Sequence, residues 1–147
     1  MKIKRFNESL SETMVVSAFP GCGKTHLFNN TDKKILDSDS SKFDKTQFPQ
    51  NYIEHIKSNI GKCDIILVSS HKDVRDALVK NGIKFTLVYP KRELKDDYIN
   101  RYIQRGSPPA FIKLLENNWD IWITEMDNQV GCDKIKLDKG EYLSDVI

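Results

Sequence analysis

The residues of greatest chemical interest form a glycine-rich segment at positions 18–25, with the sequence Ala-Phe-Pro-Gly-Cys-Gly-Lys-Thr. The segment follows an apolar run at residues 14–16 and precedes a helix-like pattern that begins at Thr25. In such a strand-turn-helix arrangement, backbone N–H groups converge on phosphate oxygens. The Lys24 ammonium would neutralise the β- and γ-phosphates, and the Thr25 hydroxyl would be a ligand of the nucleotide's Mg²⁺. The segment therefore predicts a phosphate-binding loop for ATP.

The predicted loop departs from the usual GxxxxGK[ST] pattern at one position, where Ala18 replaces the first glycine. A small residue suffices where the strand leaves the sheet, and Gly21 and Gly23 still supply permissive backbone. The alternative is a chance occurrence in a structural loop, which a strand before the segment and a helix after it argue against. The residues predicted to bind ATP are Pro20, Gly21, Cys22, Gly23, Lys24, Thr25 and His26.

Two carboxylates follow the second predicted strand, in the run Asp37-Ser38-Asp39. Such a pair could hold Mg²⁺, orient a substrate hydroxyl or accept its proton. The alternative is a turn, because Asp and Ser hydrogen-bond well to nearby backbone. Next to a phosphate-binding loop, we interpret Asp37 as a catalytic residue and, with Thr25, a metal ligand. We interpret Asp39 as an acceptor-binding residue.

The third predicted strand ends without the acidic residue that phosphate-loop hydrolases usually place there, since residues 65–68 run into Ser69 and Ser70. Asp64 lies at the start of that strand, which is the wrong end for a metal. This pattern favours a small kinase over an ATPase motor. Ser69 and Ser70 are predicted to border the acceptor pocket, with Arg75 as a clamp for an acceptor phosphate. His71 is interpreted as a helix-start residue rather than a catalytic base.

Arg101 and Arg105 lie four residues apart in a predicted helix and therefore on one face of it. Like charges at this spacing repel unless an anion lies between them, and kinases use such arginines to stabilise the transferring phosphoryl group. We interpret both as catalytic residues of a lid that excludes water, with Arg92 as a third candidate. The alternative is a solvated helix in which Asp97 neutralises Arg101.

The elements that must position these residues alternate between apolar strand-like runs and helical patterns, which is typical of a parallel sheet with crossover helices. Strands are predicted at residues 14–16, 34–37, 65–68, 85–89 and 134–137, the last at a sheet edge. Helices are predicted from Thr25, at residues 51–59, 72–80, 94–105 and 109–126, with a last helical turn at residues 141–147. Ligands of such α/β folds bind at the carboxyl ends of the strands. Trp119, Trp122 and Phe111 have helical spacing and are predicted to be core rather than a base-stacking platform.

Composition bounds the class of protein. The 147 residues fit a single domain, and 39% apolar with 30% charged residues is ordinary for a soluble globular protein. A formal charge of +2, with no basic or aromatic stripe, argues against nucleic acid as a partner. No apolar stretch approaches transmembrane length, and residues 1–5 are not followed by the apolar region of a signal peptide. Three scattered cysteines indicate reduced thiols, so a cytoplasmic location is predicted and zinc is not.

These motifs resemble those of several small P-loop kinases. The loop followed by Asp37-Ser38-Asp39 resembles shikimate kinases, whose Asp-x-Asp binds Mg²⁺ and acceptor hydroxyls, and residues 68–78 with 85–89 look like the corresponding part of gluconate kinases. Most of the chain is similar to small phage-encoded P-loop kinases, which show Phe-Pro-Gly-x-Gly-Lys, Asp-Ser-Asp-Ser-Ser-Lys-Phe and an Arg-x-x-x-Arg-Gly helix. Lys42, in the second of these motifs, is predicted to contact the acceptor.

This resemblance implies a three-layer P-loop fold with strand order 2-3-1-4-5, helices on both faces of the sheet and a mobile helical lid. It also implies an ATP- and Mg²⁺-dependent phosphotransferase, in the host cytoplasm if the chain is phage-encoded, with a nucleoside monophosphate as the first candidate acceptor. Ser69-Ser70 stands where shikimate kinases have a glycine pair, so neither shikimate nor gluconate is the expected substrate. The alternatives are a kinase of a sugar, a sugar acid or a polynucleotide end, and a nucleotide-binding regulator with little turnover. The oligomeric state stays open.

Overall fold

A computed structural model describes residues 13–38 and 40–147 of the chain. The prediction that residues 1–5 do not start a signal peptide, and the acceptor role predicted for Asp39, lie outside the described residues. The described elements alternate between strands and helices along the chain, which is the predicted α/β arrangement.

The core of the fold is a five-stranded sheet in which every strand pairing is parallel. Its strands lie in the order β2-β3-β1-β4-β5, which confirms the predicted order. The strand bounds are β1 Met14–Ala18, β2 Ile35–Asp37, β3 Ile65–Val68, β4 Thr86–Pro90 and β5 Asp133–Leu137. The first, third and fourth strands therefore lie inside the sheet, with β2 and β5 at its two edges.

Burial follows the position of each strand in the sheet. All four residues of β3 are buried, as expected of a strand covered on both faces. The edge strand β5 exposes Lys134 and Lys136, and charged residues at an edge discourage pairing with other chains. The prediction of an edge position for this strand is confirmed.

Among the described residues, six α-helices connect and cover the strands, with bounds close to the predicted ones. They are α1 Lys24–Asn29, α2 Gln50–Asn59, α3 Lys72–Lys80, α4 Lys95–Gln104, α5 Pro109–Asp127 and α6 Leu143–Val146. The helix predicted from residue 94 begins at Lys95, because Arg92–Leu94 forms a separate 3-10 turn. Pro109 occupies the first position of α5, where its missing N–H costs no hydrogen bond.

The aromatic residues of α5 differ in burial. Trp119 is fully buried among the core side chains and packs edge-on against Phe19, which confirms its prediction as core. Phe111 and Trp122 were also predicted to be core, but they are only partly buried and pack against the core from its surface. Within residues 13–38 and 40–147, no helix combines the length and apolar character needed to cross a membrane. The three cysteines are free thiols.

Candidate functional site

The predicted site residues meet at the carboxyl ends of β1, β2 and β3. These strands are parallel and adjacent. The glycine-rich loop after β1, Asp37 at the end of β2 and Ser69 after β3 therefore lie together at the carboxyl-terminal side of the sheet. A hydrogen bond from the Ser17 hydroxyl of β1 to the Ser69 carbonyl, at 2.9 Å, joins two of these strand ends. The topology therefore brings together groups that are far apart in the sequence.

Both glycines of the loop adopt a backbone conformation that side chains rarely allow. Gly21 has φ of 90° and Gly23 has φ of 96°. A Cβ atom at Gly21 would lie 2.9 Å from a ring carbon of Tyr102, and one at Gly23 would lie 2.8 Å from a ring carbon of Tyr142. Glycine is therefore required here by backbone conformation and by close aromatic packing together.

Three consecutive carbonyl groups of the loop are held from outside it. The Tyr102 hydroxyl donates to the Pro20 carbonyl at 2.6 Å, and Nη1 of Arg101 donates to the Gly21 carbonyl at 2.7 Å. The backbone N–H of Leu143, the first residue of α6, donates to the Cys22 carbonyl at 2.9 Å. Helices α4 and α6 thus fix the orientation of three successive peptide groups.

This anchoring determines where the loop's N–H groups point. In a trans peptide the N–H is directed opposite to the C=O of the same planar unit. The N–H groups of Gly21 and Gly23 therefore point away from the groups that hold the Pro20 and Cys22 carbonyls. Neither N–H has an acceptor among the residues that the structure describes. They are available to an anion, as backbone donors are in phosphate-binding loops.

Cys22 contributes backbone rather than thiol chemistry to the loop. Its side chain is fully buried, with the sulfur 3.8 Å from the Tyr98 hydroxyl. Burial raises the pKa of the Cys22 thiol to about 12, although Tyr98 and the charges of Arg101 and Lys24 oppose the shift. The thiol is therefore protonated at neutral pH and is not a nucleophile.

A cleft of about 660 Å³, here called the loop cleft, opens in front of the glycine-rich segment. Among the described residues, three cations line it, Lys24, Arg101 and Arg105, against one carboxylate, that of Asp37. The remaining lining residues are Pro20, Gly21, Gly23, Thr25, Gln104, Phe111 and Tyr142. An excess of positive charge beside unpaired N–H groups suits a polyanionic ligand.

A second cavity of about 300 Å³, here called the serine cavity, lies on the other side of Asp37. It is lined by Ala18, Pro20, Lys24, Asp37, Ser38, Ser40, Ser69, Ser70 and His71. Lys24, Asp37 and Pro20 line both cavities, so they stand at the junction between them. A group in the loop cleft and a group in the serine cavity can therefore meet at one lysine and one carboxylate.

The backbone beside Asp37 is fixed by contacts from β3 and α2. The Ser38 N–H donates to the Leu67 carbonyl at 2.9 Å, which continues the β2–β3 pairing past Asp37. The Tyr52 hydroxyl donates to the Ser38 carbonyl at 2.7 Å, and the Ser38 hydroxyl lies 3.0 Å from Nε2 of His55. Asp37 itself is exposed. An exposed carboxylate on fixed backbone is placed to meet a ligand.

Arg101 and Arg105 reach the loop cleft by different routes. The Arg101 guanidinium lies 4.3 Å from the ring centre of Tyr98 and 4.4 Å from that of Tyr142, besides its bond to the loop. Arg101 therefore contacts the loop and two aromatic rings rather than Asp97. Arg105 is exposed, lies 5.1 Å from the ring centre of Tyr102 and donates to the Ser107 hydroxyl at 3.0 Å.

Arg92 is not part of this site, contrary to the suggestion of a third lid arginine. Its guanidinium donates to the backbone carbonyl and side chain of Asp120 and to the Thr124 hydroxyl. All of these acceptors belong to α5. Arg92 therefore joins its 3-10 turn to that helix and does not line the loop cleft.

Arg75 is also engaged by the protein, which differs from its predicted role as a phosphate clamp. Its side chain is 3% exposed, and it donates to the Ser70 carbonyl at 2.9 Å and to Oε1 of Gln129 at 2.6 Å. Glu125 lies 3.6 Å away, and burial lowers the pKa of Arg75 below its ordinary value while Glu125 opposes that shift. Arg75 supports the backbone of Ser70 and does not line the serine cavity.

The remaining predicted residues are divided between the cavities and the surface. Thr25 lines the loop cleft, whereas His26 lies outside it, with its ring centre 6.1 Å from that of Tyr142. Lys42 is exposed on the 3-10 turn Ser40–Lys42 and lines neither cavity. His71 is the N-cap residue of α3, as predicted, and it also lines the serine cavity.

Sequence reasoning missed several residues that line the two cavities. Gln104, Phe111 and Tyr142 belong to the loop cleft, and Ser38 and Ser40 to the serine cavity. The serines lie within the Asp-Ser-Asp-Ser-Ser run and could have been found from it. No local pattern marks Tyr142, because its place over Gly23 depends on the packing of α6 against the loop.

No protein-family model matches this chain, and neither the curated proteins nor the solved structures give a match.

Proposed function

We propose that this protein transfers the γ-phosphoryl group of ATP to a small acceptor, on a P-loop fold. The observation that carries the proposal is that two cavities of different chemistry meet at Lys24 and Asp37. A transferase must hold two substrates with their reacting atoms adjacent, whereas a hydrolase or a binding protein needs a single pocket. The loop cleft takes the donor and the serine cavity takes the acceptor.

The donor is held by groups that complement a triphosphate. The N–H groups of Gly21 and Gly23 bind phosphate oxygens, and Lys24 neutralises the β- and γ-phosphates as a point charge. Arg105, at the exposed side of the loop cleft, stabilises the charge that develops on the transferring group. Tyr142 and Phe111 provide apolar walls for the remainder of the nucleotide.

The site also fits Mg²⁺, the ion expected to accompany ATP. This ion keeps several waters and is usually bound through one or two protein oxygens together with phosphate oxygens. The Thr25 hydroxyl and the Asp37 carboxylate are two such oxygen groups on the wall of the loop cleft. Thr25 and Asp37 are the residues that would hold the ion, which when bound neutralises phosphate charge.

The transfer exchanges one phosphorus–oxygen bond for another. The acceptor oxygen bonds to the γ-phosphorus while the bond from that phosphorus to the bridging oxygen of ADP breaks. Where the acceptor is a hydroxyl, its proton must leave, and Asp37 is the carboxylate that lines the serine cavity among the described residues. Lys24 faces the transferring group from the junction of the two cavities.

Two acceptor classes are candidates. A nucleoside monophosphate is the acceptor that the resemblance to small phage-encoded kinases implies. The environment of Arg75 favours a second class, a neutral hydroxyl compound, because the cation predicted to bind an acceptor phosphate is buried against Ser70, Gln129 and Glu125. Four serines line the acceptor side and suit hydrogen bonding to neutral hydroxyl groups.

The test is phosphoryl transfer from γ-labelled ATP with Mg²⁺ to a panel of nucleoside monophosphates, nucleosides, sugars and sugar acids. We expect labelled product from the wild type and none from Lys24→Ala, with weaker ATP binding in the variant and an unchanged unfolding temperature, since Lys24 lies outside the core. Lys80→Ala is the control, because Lys80 is exposed at the end of α3 and lines neither cavity. Wild-type turnover in Lys24→Ala would contradict the proposal.

A further inference from the structure

A third cavity of about 160 Å³, here called the α5 pocket, continues from the serine cavity. Ser70, His71 and Pro20 line both, so the two spaces are neighbours. The other lining residues of the α5 pocket are Phe19, Lys72, Arg75, Phe111, Leu114, Leu115, Trp122, Glu125 and Met126. Pro20 and Phe111 also line the loop cleft, so the α5 pocket adjoins both larger cavities. Lys24 and Asp37 lie where the loop cleft meets the serine cavity, and Ser70 and His71 lie where the serine cavity meets the α5 pocket.

The walls of the α5 pocket differ in character from those of the serine cavity. Apolar and aromatic side chains, including Phe111, Leu114 and Trp122, form much of its surface. Glu125 and Lys72 add hydrogen-bonding groups. Ligand sites combine apolar walls with a few polar groups in this way, and a whole drug-sized ligand needs about 300 Å³ or more. The α5 pocket therefore has room for only part of a ligand, such as one flat ring system.

We propose that the acceptor is a nucleoside, with its sugar hydroxyl in the serine cavity and its base in the α5 pocket. This inference rests on the proposed function and specifies its acceptor. A flat heteroaromatic base fits apolar walls that carry a few polar groups, and a sugar carries hydroxyls into the serine-lined space. The free nucleoside is preferred to its monophosphate because Arg75, which lines the α5 pocket, is bound to Ser70 and Gln129.

The position of the two tryptophans allows a binding test that does not depend on catalysis. Trp122 lines the α5 pocket, whereas Trp119 is fully buried in the core, and the chain has no other tryptophan. With the loop cleft saturated by a non-hydrolysable ATP analogue and Mg²⁺, adenosine, guanosine, cytidine and thymidine are titrated while fluorescence is recorded. Ribose and ribose 5-phosphate, which lack a base, are the controls. We expect at least one nucleoside to change the fluorescence, no change with the compounds that lack a base, and loss of the signal in Trp122→Phe.

Two exposed apolar residues of α5 supply a matched pair of variants. Leu114 lines the pocket and is 50% exposed, and Ile121 lies on the same helix, is 57% exposed and does not line it. Leu114→Gln should weaken nucleoside binding about fivefold, because a partly buried apolar contact is lost. Ile121→Gln should leave binding unchanged. Both substitutions are at exposed positions, and the unfolding temperature of each variant checks that the fold is kept.

The outcomes separate this inference from the function on which it rests. Label transferred to a nucleoside, with the Leu114→Gln effect, supports the inference. Transfer to sugars that lack a base with equal efficiency, or to nucleoside monophosphates alone, would overturn it and leave the proposed phosphotransferase in place. Equal binding by the Leu114→Gln and Ile121→Gln variants would also overturn it. Failure of the protein to bind the ATP analogue at all would instead contradict the proposed function.

Discussion

The Tyr102 hydroxyl of α4 donates a 2.6 Å hydrogen bond to the Pro20 carbonyl at the start of the glycine-rich loop. Burial raises the pKa of Tyr102 above its ordinary value, so the hydroxyl keeps the proton that it donates. Together with the bond from the Leu143 N–H to the Cys22 carbonyl, this contact fixes a loop conformation in which the Gly21 and Gly23 N–H groups meet no acceptor among the described residues.

Tyr102→Phe should raise the KM for ATP about fivefold, because the Pro20 peptide is no longer held and a hydrogen bond worth about 1 kcal/mol is lost from the loop conformation that binds the ligand. Steady-state kinetics at saturating acceptor measures the change. The ratio of variant to wild-type KM should be constant between about pH 6 and about pH 9, since the tyrosine does not ionise in that range.

Tyr89→Phe is the control for that change. The Tyr89 hydroxyl is equally close to its acceptor, Oδ1 of Asp127 at 2.6 Å, and its side chain is also buried. Its loss should lower the free energy of unfolding without changing the KM for ATP. An equal rise in KM for both variants would show that stability, and not loop orientation, sets nucleotide affinity.

Asp37→Asn should lower kcat by about a hundredfold or more, because it removes the negative charge at the junction of the two cavities while keeping the side-chain volume. The rate is measured at saturating ATP and acceptor. Asp64→Asn is the matched change, since Asp64 lies at the amino end of β3, where Oδ2 accepts the Lys34 N–H at 2.8 Å. Asp64→Asn should lower the free energy of unfolding and leave kcat unchanged. Equal, small kinetic effects of the two changes would indicate that Asp37 belongs to a structural turn.

Arg105→Ala should lower kcat about a thousandfold with little change in unfolding temperature, since an arginine that stabilises the transferring phosphoryl is typically worth that much or more. Arg105 is exposed and its described polar contact is local, to Ser107. Arg92→Ala should lower the unfolding temperature and leave kcat unchanged, because Arg92 joins its turn to Asp120 and Thr124 of α5. Rapid ATP hydrolysis without acceptor, together with no kinetic effect of Arg105→Ala, would point to a hydrolase.

Gly23→Ala should destabilise the protein by several kcal/mol more than Gly82→Ala and should prevent ATP binding. Both glycines have positive φ, 96° and 68°. A Cβ at Gly82 would meet nothing within 4 Å, whereas one at Gly23 would meet the Tyr142 ring at 2.8 Å. Urea unfolding compares the two variants. Similar losses would mean that the Tyr142 ring moves aside at little cost.

Much of the fold could be predicted because its signals are local. The continuous apolar run of residues 65–68 indicated an inner strand, and it forms β3. The alternation of lysines with apolar residues at positions 134–137 indicated an edge strand, and it lies in β5. The glycine-rich loop could also be recognised locally, because its turn needs residues with positive φ and glycine is the residue that adopts it readily. Resemblance to known kinases supplied the strand order, which spacing alone does not determine.

The partners of the long polar side chains could not be predicted in the same way. Arg75 was expected to face a ligand, but Gln129, far along the chain, accepts its hydrogen bond. Arg92 was expected near the loop, but α5 supplies Asp120 and Thr124. A long charged side chain can reach in several directions, and the choice depends on which helices pack nearby. Local sequence patterns do not carry that information.

The contact between α6 and the loop has a consequence for the order in which the proposed site is completed. Residues 18–25 are made before residues 142–143, but the Cys22 carbonyl is held by Leu143, and the Gly23 backbone lies against Tyr142. The loop therefore lacks part of its support until α6 has been made and has docked. Full competence to bind the proposed triphosphate should arise only at that point.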